Sequence, residues 1–378
     1  MGILPTSDKF PLLVVLNPHS GKEQGREVWE TTVQPALNKA GKPFKLIESN
    51  AQGHLESYFF DNIKPIITDL VQSLSAMSES VDDASAVAPP NSVTLQIMVL
   101  GGDGSVHEIV NGILRGVEGT SFVSNEFRPK VEFSIIPTGT GNAISTSLGV
   151  TGAQDALDRF LAGEATPLRL MSVSTRVEGA WKVRVYTVVV NSYGLHCATV
   201  YDSEEFRHLG NERFLHAAMK NVENLKQYEG QLAFYGPVQI YDRSRGTLAS
   251  LASNSDNGAT VSLPGPFTYL LITKQASLEP GFTPTPFAKT SDEWMDVLAV
   301  QNVGKAEIME MFGSTSTGKH VEQKTIEYFK TKVVELETTT QGRLCIDGEF
   351  LMIEGGHEGR VRFEVVANEN VQIFGVYV

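Results

Sequence analysis

The first 150 positions repeat one pattern: a short apolar run, a cluster of small polar residues, then apolar residues at helical spacing. Val93, Leu95, Ile97 and Val99 alternate and Leu100 closes the run, which predicts a strand. Val106, Ile109, Val110, Ile113 and Leu114 then fall at i, i+3, i+4, i+7 and i+8, one face of a helix. Residues 11–16 form a continuous apolar run of the kind buried on both faces of a parallel sheet. That run ends in Asn17-Pro18-His19-Ser20-Gly21-Lys22 and gives way to a helical segment carrying Val28, Trp29, Val33 and Leu37. Residues 44–48 predict a second strand, and residues 54–74 a helix with a break at Pro65. Residues 131–136 are a further strand, running into Pro137-Thr138-Gly139-Thr140-Gly141-Asn142-Ala143, and Ala153, Ala156, Leu157, Phe160 and Leu161 mark one more helix. Successive strand–loop–helix units predict a doubly wound α/β domain over residues 1–150. Its polar loops fall at the carboxyl ends of strands, where such sheets bind ligands.

After position 150 the texture changes. Residues 168–177, 181–190, 232–241, 267–273, 294–300, 328–336, 343–353 and 361–366 read as strands rich in β-branched and aromatic residues. Helical stretches at 206–227 and 306–312 interrupt them. Residues 151–378 are therefore expected to form a second, mostly antiparallel β domain. Two stretches rich in Ser, Ala, Asp, Asn or Gly, near 75–92 and 244–266, are expected to be surface insertions with disordered centres.

The totals narrow the function. A chain of 378 residues with 41% hydrophobic and 20% charged positions can bury a sizeable core. A net charge of −13 argues against nucleic acid as a bulk partner, because that binding rests on neutralising phosphates. Cys197 and Cys345 lie beside apolar residues in strand-like sequence, as buried reduced thiols of a cytoplasmic protein do. No apolar run is long enough to cross a membrane, and no signal-peptide pattern opens the chain. Met1-Gly2-Ile3-Leu4-Pro5-Thr6 fits the loose myristoylation pattern.

The chemistry concentrates in Gly101-Gly102-Asp103-Gly104-Ser105. Glycines between a buried strand and a helix N-terminus let backbone N–H groups approach an anion. A carboxylate there repels phosphate, so Asp103 makes sense as a base or a metal ligand. The loops at 17–22 and 137–142 add a lysine, hydroxyls and amides suited to phosphate. His19, His107 and His196 lie near these motifs without metal-ligand spacing and read as structural. Arg207 and Arg213 would sit about 240° apart on a straight helix, so they share a target only if the chain turns at Gly210. Asp347 and Glu349 would share a face if residues 345–349 stayed a strand, unless Gly348 turns the chain.

Together the three loops resemble the catalytic domain of the diacylglycerol kinase and sphingosine kinase superfamily, closest to the sphingosine kinases. Asp202-Ser203-Glu204-Glu205-Phe206-Arg207-His208-Leu209-Gly210-Asn211-Glu212-Arg213-Phe214 is similar to a sphingosine kinase segment, and Asp347-Gly348-Glu349 looks like the family's Asp-Gly-Glu motif. The resemblance implies an α/β nucleotide domain followed by a β-sandwich lipid domain, and transfer of the ATP γ-phosphate to a lipid hydroxyl. It implies a proton-accepting Asp103. It implies phosphate contacts from Asn17, Ser20, Gly21, Lys22, Gly101, Gly102, Gly104, Ser105, Thr138, Gly139, Thr140, Gly141, Asn142, Arg207 and Arg213. Mg²⁺ would be held by Glu349 and Asp347. The expected partner is a long-chain lipid, met by peripheral contact with a membrane from the cytoplasm. Sphingosine kinases bind the substrate amine with an acid placed where this chain has Val200; Asp202, two residues on, would replace it if the segment were a strand. A sphingoid base is the first expectation and a diacylglycerol- or ceramide-like lipid the second. A catalytically silent lipid-binding relative and a soluble nucleotide kinase are the alternatives from other classes.

Overall fold

Leu12–Leu16 forms β1, with every residue buried, as the unbroken apolar run requires. α1 (Gly25–Val28), a π-helical turn at Trp29–Val33 and α2 (Gln34–Lys39) return the chain to β2 (Phe44–Glu48). There follow α3 (His54–Ser78), β3 (Thr94–Gly101), α4 (Asp103–Val117) and β4 (Lys130–Pro137). Next come α5 (Ala143–Ser147), α6 (Ala153–Ala162) and β5 (Ala165–Pro167). This computed structural model describes residues 12–78, 93–118, 130–210, 212–251, 259–356, 359–366 and 374–378. The acylation pattern at 1–6 lies outside them.

Two expectations change here. Pro65 sits inside α3 without ending it. The buried stripe Leu55, Phe59, Ile63, Ile66, Ile67 and Leu70 runs straight past it, so packing outweighs the local cost of proline. The helix also extends to Ser78, into the stretch expected to be an insertion; residues 79–92 lie outside the described residues.

The second unit begins with β6 (Met171–Val177), β7 (Ala180–Thr187) and β8 (Val190–Gly194). α7 (Leu195–Asp202), a 3₁₀ turn at Ser203–Leu209 and α8 (Glu212–Glu223) follow. Then come β9 (Gln231–Asp242), β10 (Thr247–Ser250), β11 (Ala259–Pro264), β12 (Phe267–Thr273) and β13 (Met295–Gln301). α9 (Lys305–Ser314), β14 (Ile326–Glu337), β15 (Gly342–Ile346), β16 (Glu349–Ile353) and β17 (Arg360–Val365) complete it. Its strands form one 12-stranded sheet, antiparallel at each described pairing. The sheet branches at β14, whose first half pairs with β13, whose second half pairs with β17, and which pairs with β9 on its other edge. Phe234, Phe329, Phe363, Leu270, Val297 and Leu344 from these strands share one core. The stretch expected to be an insertion at 244–266 contributes β10 and β11, both paired with β9; residues 252–258 lie outside the described residues.

Buried charge in this unit is paired. Lys330 Nζ lies 3.1 Å from Asp292 Oδ2 and 3.0 Å from Asp296 Oδ2, and Lys274 Nζ lies 3.0 Å from Asp292 Oδ1. Such pairs add little net stability, since each ion has lost its water, but removing one partner would leave a buried charge uncompensated.

The boundary between the units differs from the expected one at residue 150. Among the described residues, the first unit comprises those within 12–140, 149–168 and 374–378, and the second those within 141–148 and 169–366. The reason is β18 (Phe374–Tyr377), which lies between β4 and β5 and completes the order β2-β1-β3-β4-β18-β5. Phe374 stacks on Phe133 and Tyr377 packs edge-on against Phe160. Among the described residues no helix is long and apolar enough to cross a membrane.

Candidate functional site

In the first unit the three polar loops are hydrogen-bonded to one another at the carboxyl ends of β1, β3 and β4. Asn17 donates its backbone N–H to Leu100 O (2.9 Å) and its Nδ2 to Ser105 Oγ (3.1 Å). The N–H groups of Thr138 and Gly139 both reach Gly101 O at 3.2 Å. Ser20 Oγ donates to Asn17 O at 2.9 Å and lies 3.5 Å from Thr138 Oγ1. Gly21 has φ +60°, and a Cβ there would stand 2.3 Å from Thr138 O. Only glycine lets the first and third loops approach this closely.

This wiring changes the expected roles of several side chains. The polar atoms of Asn17, Ser20, Ser105 and Thr138 engage each other, so these residues hold the loops in place. What the loops can offer an anion is chiefly backbone N–H at a helix N-terminus. Gly102 is the extended N-cap of α4, Asp103 is the first helical residue and half-buried, and Gly104 has open space where a Cβ would be. Lys22 is exposed and Thr140 half-buried. His19 is exposed and His107 is buried in α4.

Gly141 and Asn142 belong to the second unit, where Asn142 is the N-cap of α5. Also in this unit, the segment carrying Arg207 and Arg213 does turn at Gly210, which has φ +60°. The turn brings both guanidinium groups to one carboxylate: Glu204 Oε2 lies 2.9 Å from Arg207 Nε, and Glu204 Oε1 lies 2.9 Å from Arg213 Nη1. The pairing with Glu204 is not among the expected contacts. Its signal is the i,i+3 spacing to Arg207, which pairs opposite charges on a helical turn.

Asp202 does not share a face with Val200. The segment is helical, being the end of α7, so two residues along it lie about 200° apart. The Asp202 carboxylate instead accepts a hydrogen bond from Asn221 Nδ2 of α8 at 3.0 Å. Cys197 is likewise helical, not in a strand. Both cysteines are free and buried, and burial pushes both thiols up, Cys345 to about 12, so both are unreactive.

Asp347 and Gly348 form the two-residue turn between β15 and β16, with φ +49° and +96°. Glu349 therefore pairs across the hairpin with Ile346 and shares no strand with Asp347. The Asp347 carboxylate accepts three backbone N–H groups, from Val188 (2.7 Å), Val189 (2.9 Å) and Val190 (2.8 Å). A carboxylate so occupied is an anchor, and it does not fit the expected place as a metal ligand. Glu349 is exposed and fits better. Among the described residues no group of three His, Cys, Asp or Glu side chains forms a metal cage. Mg²⁺ on a nucleotide needs only one or two carboxylates beside the phosphates.

His196 is structural. It is half-buried, lies 2.8 Å from Ser192 Oγ and meets Tyr269 edge-on. Burial lowers its pKa from 6.5 to about 4. The unfolded chain takes up a proton below pH 6.5 and the folded chain only below about 4, so stability falls as the pH drops through that window. The full loss is on the order of 3 kcal/mol. Denaturant unfolding between pH 7 and 4 checks this: a His196→Gln variant should lose less stability on acidification than the parent, and equal slopes would remove His196 as the cause.

Residues 11–173 match the diacylglycerol kinase catalytic domain family, and residues 258–363 match the YegS C-terminal NAD kinase beta sandwich-like domain. Sphingosine kinase 2 of Arabidopsis thaliana is 24% identical over 90% of this chain and 69% of its own length. Sphingosine kinase 1 of Mus musculus is 26% identical over 93% of this chain and 89% of its own. Among solved structures, a diacylglycerol kinase from Bacillus anthracis str. Sterne superposes with a TM-score of 0.53 at 17% identity, covering 97% of this chain and 96% of that one. At that identity the likeness establishes the fold.

Proposed function

We propose that this chain, which belongs to the diacylglycerol kinase family and is a lipid kinase, transfers the γ-phosphate of ATP to the hydroxyl of a sphingoid base. The observation that carries this is the interlocking of the three polar loops beside Asp103 at the first turn of α4. Phosphoryl transfer asks for positioning and charge neutralisation more than for covalent chemistry. The loop amides at 21–22 and 102–104 orient the phosphates. Asp103 accepts the proton of the lipid hydroxyl, which an ordinary carboxylate can do because that proton is lost as the new P–O bond forms. Arg207 and Arg213 offset charge on the phosphates, and Glu349 would hold Mg²⁺, which would screen the triphosphate when bound. The lipid is met at a membrane surface by peripheral contact.

One observation favours a second reading, in which the head group is neutral, as in diacylglycerol or ceramide. Val200 stands where sphingosine kinases carry the amine-binding acid, and Asp202 is turned away from it and bonded to Asn221. Incubation with Mg²⁺ and labelled ATP against sphingosine, phytosphingosine, ceramide and diacylglycerol separates the two. Label in the sphingoid bases supports the first reading and label only in the neutral lipids the second. Label in none, with ATP still bound, overturns both and leaves a silent lipid-binding relative.

A further inference from the structure

The two arginines are neutralised from within. Glu204 gives each guanidinium one oxygen, at 2.9 Å in both cases. One carboxylate shared between two forks satisfies neither, since each fork is built for a bidentate partner. Arg213 shows the deficit directly: its side chain is only 15% exposed, and its buried Nε has no hydrogen-bond partner. Its guanidinium lies 4.6 Å from the Phe214 ring, which fixes its place. Arg207, by contrast, is 73% exposed and Glu204 47%, so the Arg207–Glu204 pair is an exposed one, weak and easily opened. A phosphate group offers more oxygens and more charge than a carboxylate and fits the same N–H groups better.

We propose that Glu204 is the internal counter-ion of the Arg207–Arg213 pair and sets its affinity for a phosphate-bearing ligand by competing for the same N–H groups. This rests on the two arginines being phosphate contacts. With the ligand absent, Glu204 keeps the two cations from repelling each other across the turn at Gly210. When a phosphate arrives, the exposed Glu204 side chain swings into water and both forks pass to the incoming anion. Glu204 therefore lowers the affinity for ATP and hastens its release.

Equilibrium binding of ATP and of inorganic tripolyphosphate to the full chain tests this. Glu204→Gln keeps shape and removes the charge, and should tighten both ligands about 5-fold at low salt, with the gain shrinking as salt screens it. Glu204→Asp, which keeps the charge but shortens the reach, should tighten them less; it also decides the matter if Glu204→Gln melts early. Unchanged or weaker binding in the Glu204 variants, while Arg213→Ala weakens it, overturns the counter-ion role and leaves the arginines as phosphate contacts. Undiminished binding in Arg213→Ala overturns the phosphate-contact role itself.

Discussion

Asp103→Asn is expected to lower lipid phosphorylation about 10³-fold, with ATP binding and the melting temperature close to those of the parent. The amide is nearly isosteric and can sit at the same first position of α4. What it cannot do is take a proton from the attacking hydroxyl. Removing a negative charge from a helix N-terminus costs only about 0.3–1 kcal/mol, so a large loss of turnover would not be a folding effect. Single-turnover measurement with labelled ATP at saturating lipid isolates the chemical step, and near-normal transfer would remove Asp103 from the role of base. A fall in ATP affinity to match the fall in turnover would instead place Asp103 among the groups that bind nucleotide.

Asp347→Ala is expected to destabilise the second unit strongly. It leaves the N–H groups of Val188, Val189 and Val190 without their carboxylate. Bonds to a charged acceptor contribute about 1.5–3 kcal/mol each and are not fully additive, so a total near 4 kcal/mol follows. Asp347→Asn should lose about half of that, because its amide carbonyl can still accept from Val189 and Val190 while its NH₂ confronts Val188. Amide hydrogen exchange at residues 188–190, followed by mass spectrometry, reads the effect where it arises. Protection that survives in the alanine variant, together with lost activity, would return Asp347 to the metal.

The contrast between Asp103 and Asp347 marks what the sequence makes legible. Residues 44–48 and 267–273 match β2 and β12 residue for residue, and the loops at 17–22, 101–105 and 137–142 meet as their places after β1, β3 and β4 require. These depend on periodicity and on small residues at strand ends, both local signals. α7 was not legible. Leu195-His196-Cys197-Ala198-Thr199-Val200-Tyr201-Asp202 has no apolar face and several strand-favouring residues; Gly194, with φ +78°, ends β8 and forces the turn into the helix. Mistaking that helix for a strand is what put Val200 and Asp202 on one face. The role of Asp347 was hidden for another reason. Its partners lie more than 150 residues earlier in the chain, and a carboxylate reads the same in sequence whether it faces a metal or three amides. β18 escaped too, because it pairs with β4 across most of the chain.

The anchoring of Asp347 also bears on motion. β15 pairs with β8 at Cys345–Ser192 and Ile346–Asn191, and the Asp347 carboxylate holds the three amides that lead into β8. β8 continues through Gly194 into α7 and the turn that carries Glu204 and Arg207. The hairpin bearing Glu349 and the segment bearing the arginines thus hang from one support. Loss of the Asp347 anchor should therefore loosen both, and not the hairpin alone.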